Sequence, residues 1–228
     1  MPSTVVLVHG AWHGAWAWDR FLPELSDLET RTVELPSVGS DPAALGDLYA
    51  DAAAVRAAVA ALDGPVVVVA HSYGGAPVSE GLVGLPQVSG IVYVCAFQLD
   101  VGESLAAAVG GSAPDWWDMH EEQGYVDTLR PEEIFYGGVD AATVADAIGK
   151  LRHQGLAAFA QPQTAAAWHD IPSTYVVCEQ DNAIPAVAQE AMAKRSDRVV
   201  RMDTSHSPFL TRPAELAAII REQFSAQG

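Results

Sequence analysis

Six short runs of Val, Ile, Leu and Tyr punctuate the chain at TVVLVH (4–9), TRTVEL (30–35), VVVVA (66–70), GIVYVC (90–95), TYVVC (174–178) and RVVRM (198–202). None alternates strictly between apolar and polar residues, so neither face is written for water. Strands covered on both sides read this way, and such strands belong to a parallel sheet. Between the runs lie helix patterns at Trp16 to Leu25, Leu48 to Leu62, Pro77 to Val83, Ala186 to Lys194 and Pro213 to Phe224. Parallel strands need crossovers, and helices supply them. The alternation therefore predicts an open α/β fold, a mainly parallel six-stranded sheet flanked by helices.

One segment breaks the rhythm. From about Gln98 to Ile171 no strand pattern is recognised; there are helix-like pieces such as Ala141 to Ala158, glycine pairs at 110–111 and 137–138, and a scatter of large aromatic residues. A structureless loop of that length does not fit a compact domain, so the stretch is expected to be an ordered helical cap lying over the sheet. With 228 residues and no repeat or polar linker, the whole chain reads as one domain carrying this insertion at about 98–171.

The formal charge of −17 argues against nucleic-acid and anionic membrane partners. The two cysteines, Cys95 and Cys178, each end an apolar run, where a small buried thiol is the default and no disulfide framework is implied. No membrane-length apolar stretch and no leader pattern are present, so the expected setting is soluble and cytoplasmic. The expected partner is a small-molecule substrate. The oligomeric state is not legible, a homodimer being one option.

Ligands of open α/β sheets sit beyond the carboxyl ends of the strands, so the residues after each run matter most. After VVVVA come His71-Ser72-Tyr73-Gly74-Gly75 and a small-residue helix start. A strand that turns sharply into a helix at a serine strains that residue, exposes its hydroxyl and aims the helix N-terminus at it. The turn needs small residues two positions either side, here Ala70 and Gly74. A serine hydroxyl is a poor nucleophile without a base, and the base needs an acid to orient it. In this arrangement acid and base follow later strands, in that order. TYVVC leads into Asp181, and RVVRM leads into His206.

Competing residues are weaker. His71 adjoins the serine but points elsewhere if the turn forms; His9 and His13 lie in the first loop, and His120, His153 and His169 in the insertion. Among acids, Asp100 is the runner-up to Asp181, while Glu179 and Asp203 read as a strand-end surface charge and a loop or capping residue. The first strand ends in HGAWHGAW, so the backbone N–H of Ala11 can join that of Tyr73 in receiving a developing oxyanion. The spacing of His9 and His13 does not make a metal site, because glycines spoil the helical geometry and no carboxylate cluster accompanies it. No metal and no cofactor are expected.

With VLVHGAWHGAWAW, AHSYGG, EQDNAIP and SHSPFLTRPAEL in place, the sequence resembles the α/β-hydrolase superfamily, and within it the group of plant methyl-ester esterases, hydroxynitrile lyases and their bacterial relatives. The resemblance runs from about Thr4 to Phe224. It implies Ser72, Asp181 and His206 as the triad, the amides of Ala11 and Tyr73 as the oxyanion hole, a cap forming the acyl or alcohol pocket, and a sheet without the N-terminal hairpin of larger relatives. Lyases of the group carry a threonine after the first-loop histidine and a lysine after the catalytic one. Gly10 and Ser207 stand there instead, which favours the esterase over the lyase. Thioester or lactone hydrolysis, a biosynthetic tailoring step, or ligand binding without turnover are the other options on the same framework. The expected pocket walls are Trp12, Tyr73 and Phe97 after strand ends, with Trp116, Trp117, Phe135 and Tyr136 from the cap. The cap aromatics fit a pocket for a hydrophobic substrate and the insertion's own core equally well.

Overall fold

The computed structural model describes residues 3–225. In chain order the strands are β1 (Thr4–Val8), β2 (Glu29–Val33), β3 (Val38–Gly39), β4 (Val66–His71), β5 (Val88–Val94), β6 (Trp117–His120), β7 (Tyr125–Thr128), β8 (His153–Gly155), β9 (Ser173–Cys178) and β10 (Arg198–Met202). The helices are α1 (Leu48–Ala60), α2 (Gly75–Gly81), α3 (Leu105–Ala108), α4 (Pro131–Phe135), α5 (Ala141–Lys150), α6 (Leu156–Ala160), α7 (Ala186–Ala193), α8 (Pro208–Thr211) and α9 (Pro213–Ser225).

All six apolar runs are strands of one sheet, ordered β10-β9-β5-β4-β1-β2, and every pairing in it is parallel. The strand period of two explains why the inner runs show no polar alternation, since successive residues enter two different cores. Val6, Val8, Val66, Val68 and Ala70 enter one buried core, and Val5, Leu7, Val67 and Val69 enter another on the opposite face. The edge strands differ, as edges must: Arg31 on β2 and Arg198 and Arg201 on β10 are exposed, which discourages further pairing. The chain leaves β1 toward β2 and then crosses through α1 to β4 on the other side of β1. That reversal opens a crevice at the carboxyl ends of β1 and β4, the position where open α/β sheets hold ligands.

Two expectations need correction. The cap segment is not purely helical: β6, β7 and β8 join β3 in a four-stranded antiparallel sheet, alongside α3, α4, α5, α6 and two 3-10 turns at Glu121–Gln123 and Ala167–His169. The sequences WDMH and YVDT are four residues long and half-buried, too short to show a period, and Ala141 to Ala158 is interrupted at β8. β3 comes from the loop after β2, so its pairing with β8 stitches the cap segment to the core. The second correction is Trp16 to Leu25, which forms two short 3-10 turns, Ala15–Trp18 and Leu22–Leu25. Pro23 in the second turn lacks an N–H and would clash with the carbonyl four residues earlier in a continuous α-helix. Among the described residues no helix is long and apolar enough to cross a membrane.

Candidate active site

β4 runs wholly buried from Val66 to His71, and the chain then reverses at Ser72, whose φ is +54°. A non-glycine residue in that region is strained, and the strain is held by packing on all sides of the turn. A Cβ on Gly74 would meet the carbonyl oxygen of His9 at 2.5 Å, and one on Gly10 would meet the Ser72 Cβ at 2.9 Å. The loop after β1 and the turn after β4 therefore lie back to back, and both need bare backbone. Ser72 O accepts from Phe97 N at 3.0 Å, which fixes the turn from the β5 side. Ser72 Oγ has no hydrogen-bond partner among the described residues, and the residue is 8% exposed.

His206 and Asp181 are brought together from the loops after β10 and β9: His206 Nδ1 donates to Asp181 Oδ2 at 2.7 Å, with both side chains buried. A carboxylate can only accept, so the ring proton sits on Nδ1 and Nε2 keeps its lone pair. Asp181 is itself over-determined. Its Oδ1 accepts from the amides of Ala183 (2.7 Å) and Ile184 (3.0 Å), and Oδ2 also accepts from Gln189 Nε2 at 3.0 Å. The histidine backbone is anchored too, since His206 O accepts from His71 Nε2 at 2.8 Å. His71 thus stands beside His206, ring centroids 4.6 Å apart, as a backbone clamp, and burial holds it neutral by pushing its pKa well below the usual value.

The competing acids are elsewhere. Asp100 pairs with His169 at 2.9 Å, which lowers its pKa, and Glu179 and Asp203 are exposed. The ring nitrogens of His9 face Gly10 O and Leu35 N, and those of His13 face Ala11 O and Tyr136 OH. His71, Cys95 and His206 bring three potential metal ligands close together, but His71 Nε2 and Cys95 Sγ both donate to the His206 carbonyl.

The amide of Tyr73 belongs to the second residue of the short helix that opens at Ser72, so it has no acceptor within that helix. Ala11 follows Gly10 in the loop packed against the turn. Two anchors beyond the reach of sequence reading hold these residues. Tyr73 OH donates to Asp51 Oδ2 at 2.6 Å, and Asp51 also accepts from Ser37 N (2.8 Å) and Ser37 Oγ (2.5 Å). Burial raises the Asp51 pKa, and the hydrogen bonds from Ser37 and Tyr73 oppose that rise. Ala11 O accepts from His13 Nδ1 at 2.7 Å, and His13 Nε2 accepts from Tyr136 OH at 2.8 Å. Burial lowers the His13 pKa to about 3, so the ring stays neutral and holds one donor and one acceptor in fixed directions.

Tyr136 is thereby reassigned: its hydroxyl is spent on His13, and it borders a separate hollow beside Trp16 and Lys150 rather than the space in front of Ser72. Tyr136→Phe should orphan the buried His13 Nε2 and cost about 1–3 kcal/mol, read as a lower urea midpoint at unchanged m-value. The other expected walls do meet Ser72. Trp12, Phe97, Trp116, Trp117 and Phe135 surround a chamber of about 20 Å³ over the serine. Leu105, Val109, Phe159, Ala11, Tyr73, Ala183 and Ile184 complete it, and no strand-end rule could have found the first three. The aromatic residues are at once wall and core: the Trp12 ring packs on Trp116, Trp117, Phe135 and Phe159 with centroids 5.5–6.4 Å apart.

The profile of the alpha/beta hydrolase family matches residues 5–219. An alpha/beta hydrolase of Aspergillus novofumigatus is 30% identical, covering 97% of this chain and 96% of its own length. Methylesterase 2 of Arabidopsis thaliana is 26% identical over 93% of this chain and 92% of its own. The backbone superposes on a pyrethroid hydrolase from Sphingobium faniae with a TM-score of 0.83 at 22% identity, covering 98% of each chain.

Proposed function

The chain belongs to the alpha/beta hydrolase family, and on that premise we propose that it is a serine carboxylesterase, cleaving an ester with a hydrophobic or aromatic body through an acyl-enzyme. Its similarity to esterases supports ester hydrolysis in general. The observation that carries the serine mechanism is the buried 2.7 Å bond between His206 Nδ1 and Asp181, beside a strained serine that ends β4.

In this mechanism Ser72 Oγ attacks the ester carbonyl carbon while His206 Nε2 takes its proton, and Asp181 stabilises the imidazolium. The carbonyl oxygen gains the negative charge and receives hydrogen bonds from the amides of Ala11 and Tyr73. Collapse breaks the carbon–oxygen bond to the alcohol, which leaves with the proton from His206. A water molecule then attacks the acyl carbon, gives its proton to His206, and the free acid departs as Ser72 recovers the proton. The hydroxyl and the imidazole are not hydrogen-bonded to each other in the free protein; such contacts commonly tighten only when substrate fills the site. His13 and Asp51 set the two donors, one through the Ala11 carbonyl and the other through the Tyr73 phenol. Nothing in these steps calls for a metal or cofactor, and the cap segment supplies most of the aromatic wall.

A fluorophosphonate probe tests the reading directly. Stoichiometric labelling, mapped by peptide mass to Ser72 and blocked by prior turnover-dependent acylation, is the expected result. Unlabelled native protein that also leaves p-nitrophenyl acetate intact would sink the hydrolase assignment.

A further inference from the structure

The chamber over Ser72 is about 20 Å³, room for little more than a water molecule or a small group. No ester with a sizeable body fits there unless its bulk lies elsewhere. Beside the chamber runs a groove of about 670 Å³ between α3 and α7, within the size range of sites that hold drug-sized ligands. Chamber and groove share five wall residues, Phe97, Val109, Trp116, Ala183 and Ile184. Among the described residues no hydrogen bond fixes any of the shared side chains, so only packing separates the two spaces.

The partition on the opposite side is different in kind. A hollow of about 500 Å³ touches the chamber only through Trp12, and it is lined by polar residues including Asp127, Arg152 and His153. Trp12 is locked in place, its indole N–H donating to Val126 O at 2.8 Å and its carbonyl accepting from Arg152 N at 3.0 Å.

We propose that the α3–α7 groove is the binding site for the large part of the substrate, an uncharged apolar ring system, while only a small group on the other side of the scissile bond occupies the Ser72 chamber. The proposal rests on the esterase reading and adds the substrate class to it. The groove is built for a wide, featureless body: Ala107, Ala108, Ala183, Ala188 and Ala191 leave its walls shallow, and Leu99 and Met192 add apolar surface. Its charged side chains are Glu103 and Arg195, and they satisfy each other in a two-pronged contact of 2.6 and 2.7 Å. A ligand carboxylate would have to compete with Glu103 for that guanidinium, which also donates to Gln98 O at 2.7 Å and lies over the Trp168 ring. The groove also connects rigidly to the triad, because Ala183 and Ile184 hang from Asp181 Oδ1.

The test uses Ala108→Trp and Ala191→Trp, exposed residues on two different helices that line the groove but not the chamber. The probes are 2-naphthyl acetate, with its bulk on the alcohol, methyl 2-naphthoate, with its bulk on the acid, and methyl butanoate as the small control. For the naphthyl ester that the native enzyme prefers, kcat/KM should fall at least about tenfold in each variant, as loss of buried apolar contact requires. Methyl butanoate should stay within about twofold, which also certifies folding. Binding of the preferred ester to Ser72→Ala protein, read as tryptophan fluorescence quenching, should weaken by the same factor when Ala191→Trp is added. Naphthyl-ester turnover and binding that remain native-like in both variants would overturn the groove assignment. Unchanged hydrolysis by Ser72→Ala alone would instead remove the serine mechanism, and the binding arm would still judge the groove.

Discussion

Ser72→Ala is expected to lower kcat by roughly four to six orders of magnitude, the range seen when a nucleophile is removed from a preorganised triad. The structure makes this substitution unusually clean. Ser72 Oγ has no hydrogen-bond partner among the described residues, so its removal orphans no buried group and the melting temperature should not move. The turn itself persists, because alanine tolerates φ of +54° no worse than serine does, and the packing of Gly10 and Gly74 around it is unchanged. A large loss of rate at constant stability and nearly constant KM is the signature of a group acting in the transition state. Activity surviving in Ser72→Ala, measured on protein free of contaminating esterase, would show that another group attacks the ester.

Asp181→Asn should cost about 10⁴ in kcat and, unlike the serine change, also reduce stability by about 1–3 kcal/mol. The reason is a count of donors. Asp181 accepts from Ala183 N, Ile184 N, Gln189 Nε2 and His206 Nδ1, and offers no proton of its own. An asparagine amide has one accepting oxygen. If that oxygen keeps the two backbone amides, the NH₂ faces two donors, Gln189 Nε2 and His206 Nδ1. The imidazole can then pair only by moving its proton to Nε2, where it can no longer accept from Ser72. Asp100→Asn serves as the contrast: its carboxylate is on the surface with His169, so kcat should remain native. The reverse pattern, with Asp100→Asn inactive and Asp181→Asn active, would reassign the acid. Rates and urea midpoints measured on both variants decide it.

The elements legible from sequence share a physical property: their information is local. β1, β4 and β9 are recognisable because both faces of each are buried, which removes the alternation of polar and apolar residues from a five- or six-residue run. The turn at Ser72 is recognisable because Ala70 and Gly74 must be small for it to close. The elements that escaped lack such a marker. β6 and β7 are four-residue, half-buried strands, and β3 is a two-residue strand whose partner, β8, lies more than a hundred residues away. Tyr136 looked like another cap aromatic, and nothing in its neighbours reveals that its hydroxyl serves His13 across 123 residues. Asp51 carries no local marker either, although it is a buried acceptor for Ser37 and Tyr73.

The six strands of the parallel sheet, the membership of the alpha/beta hydrolase family, and the positions of Ser72, Asp181 and His206 after the strands β4, β9 and β10 were all determined by the sequence itself. Burial periodicity and turn sterics act over a few residues and leave their mark on composition. Only the tertiary structure decided that Asp181 rather than Asp100 reaches His206, that Tyr136 buttresses a loop instead of lining the chamber, and that the space over Ser72 is nearly closed while an apolar groove lies beside it. Those are questions of distance between residues far apart in the chain, and distance is set by how the cap segment packs on the sheet.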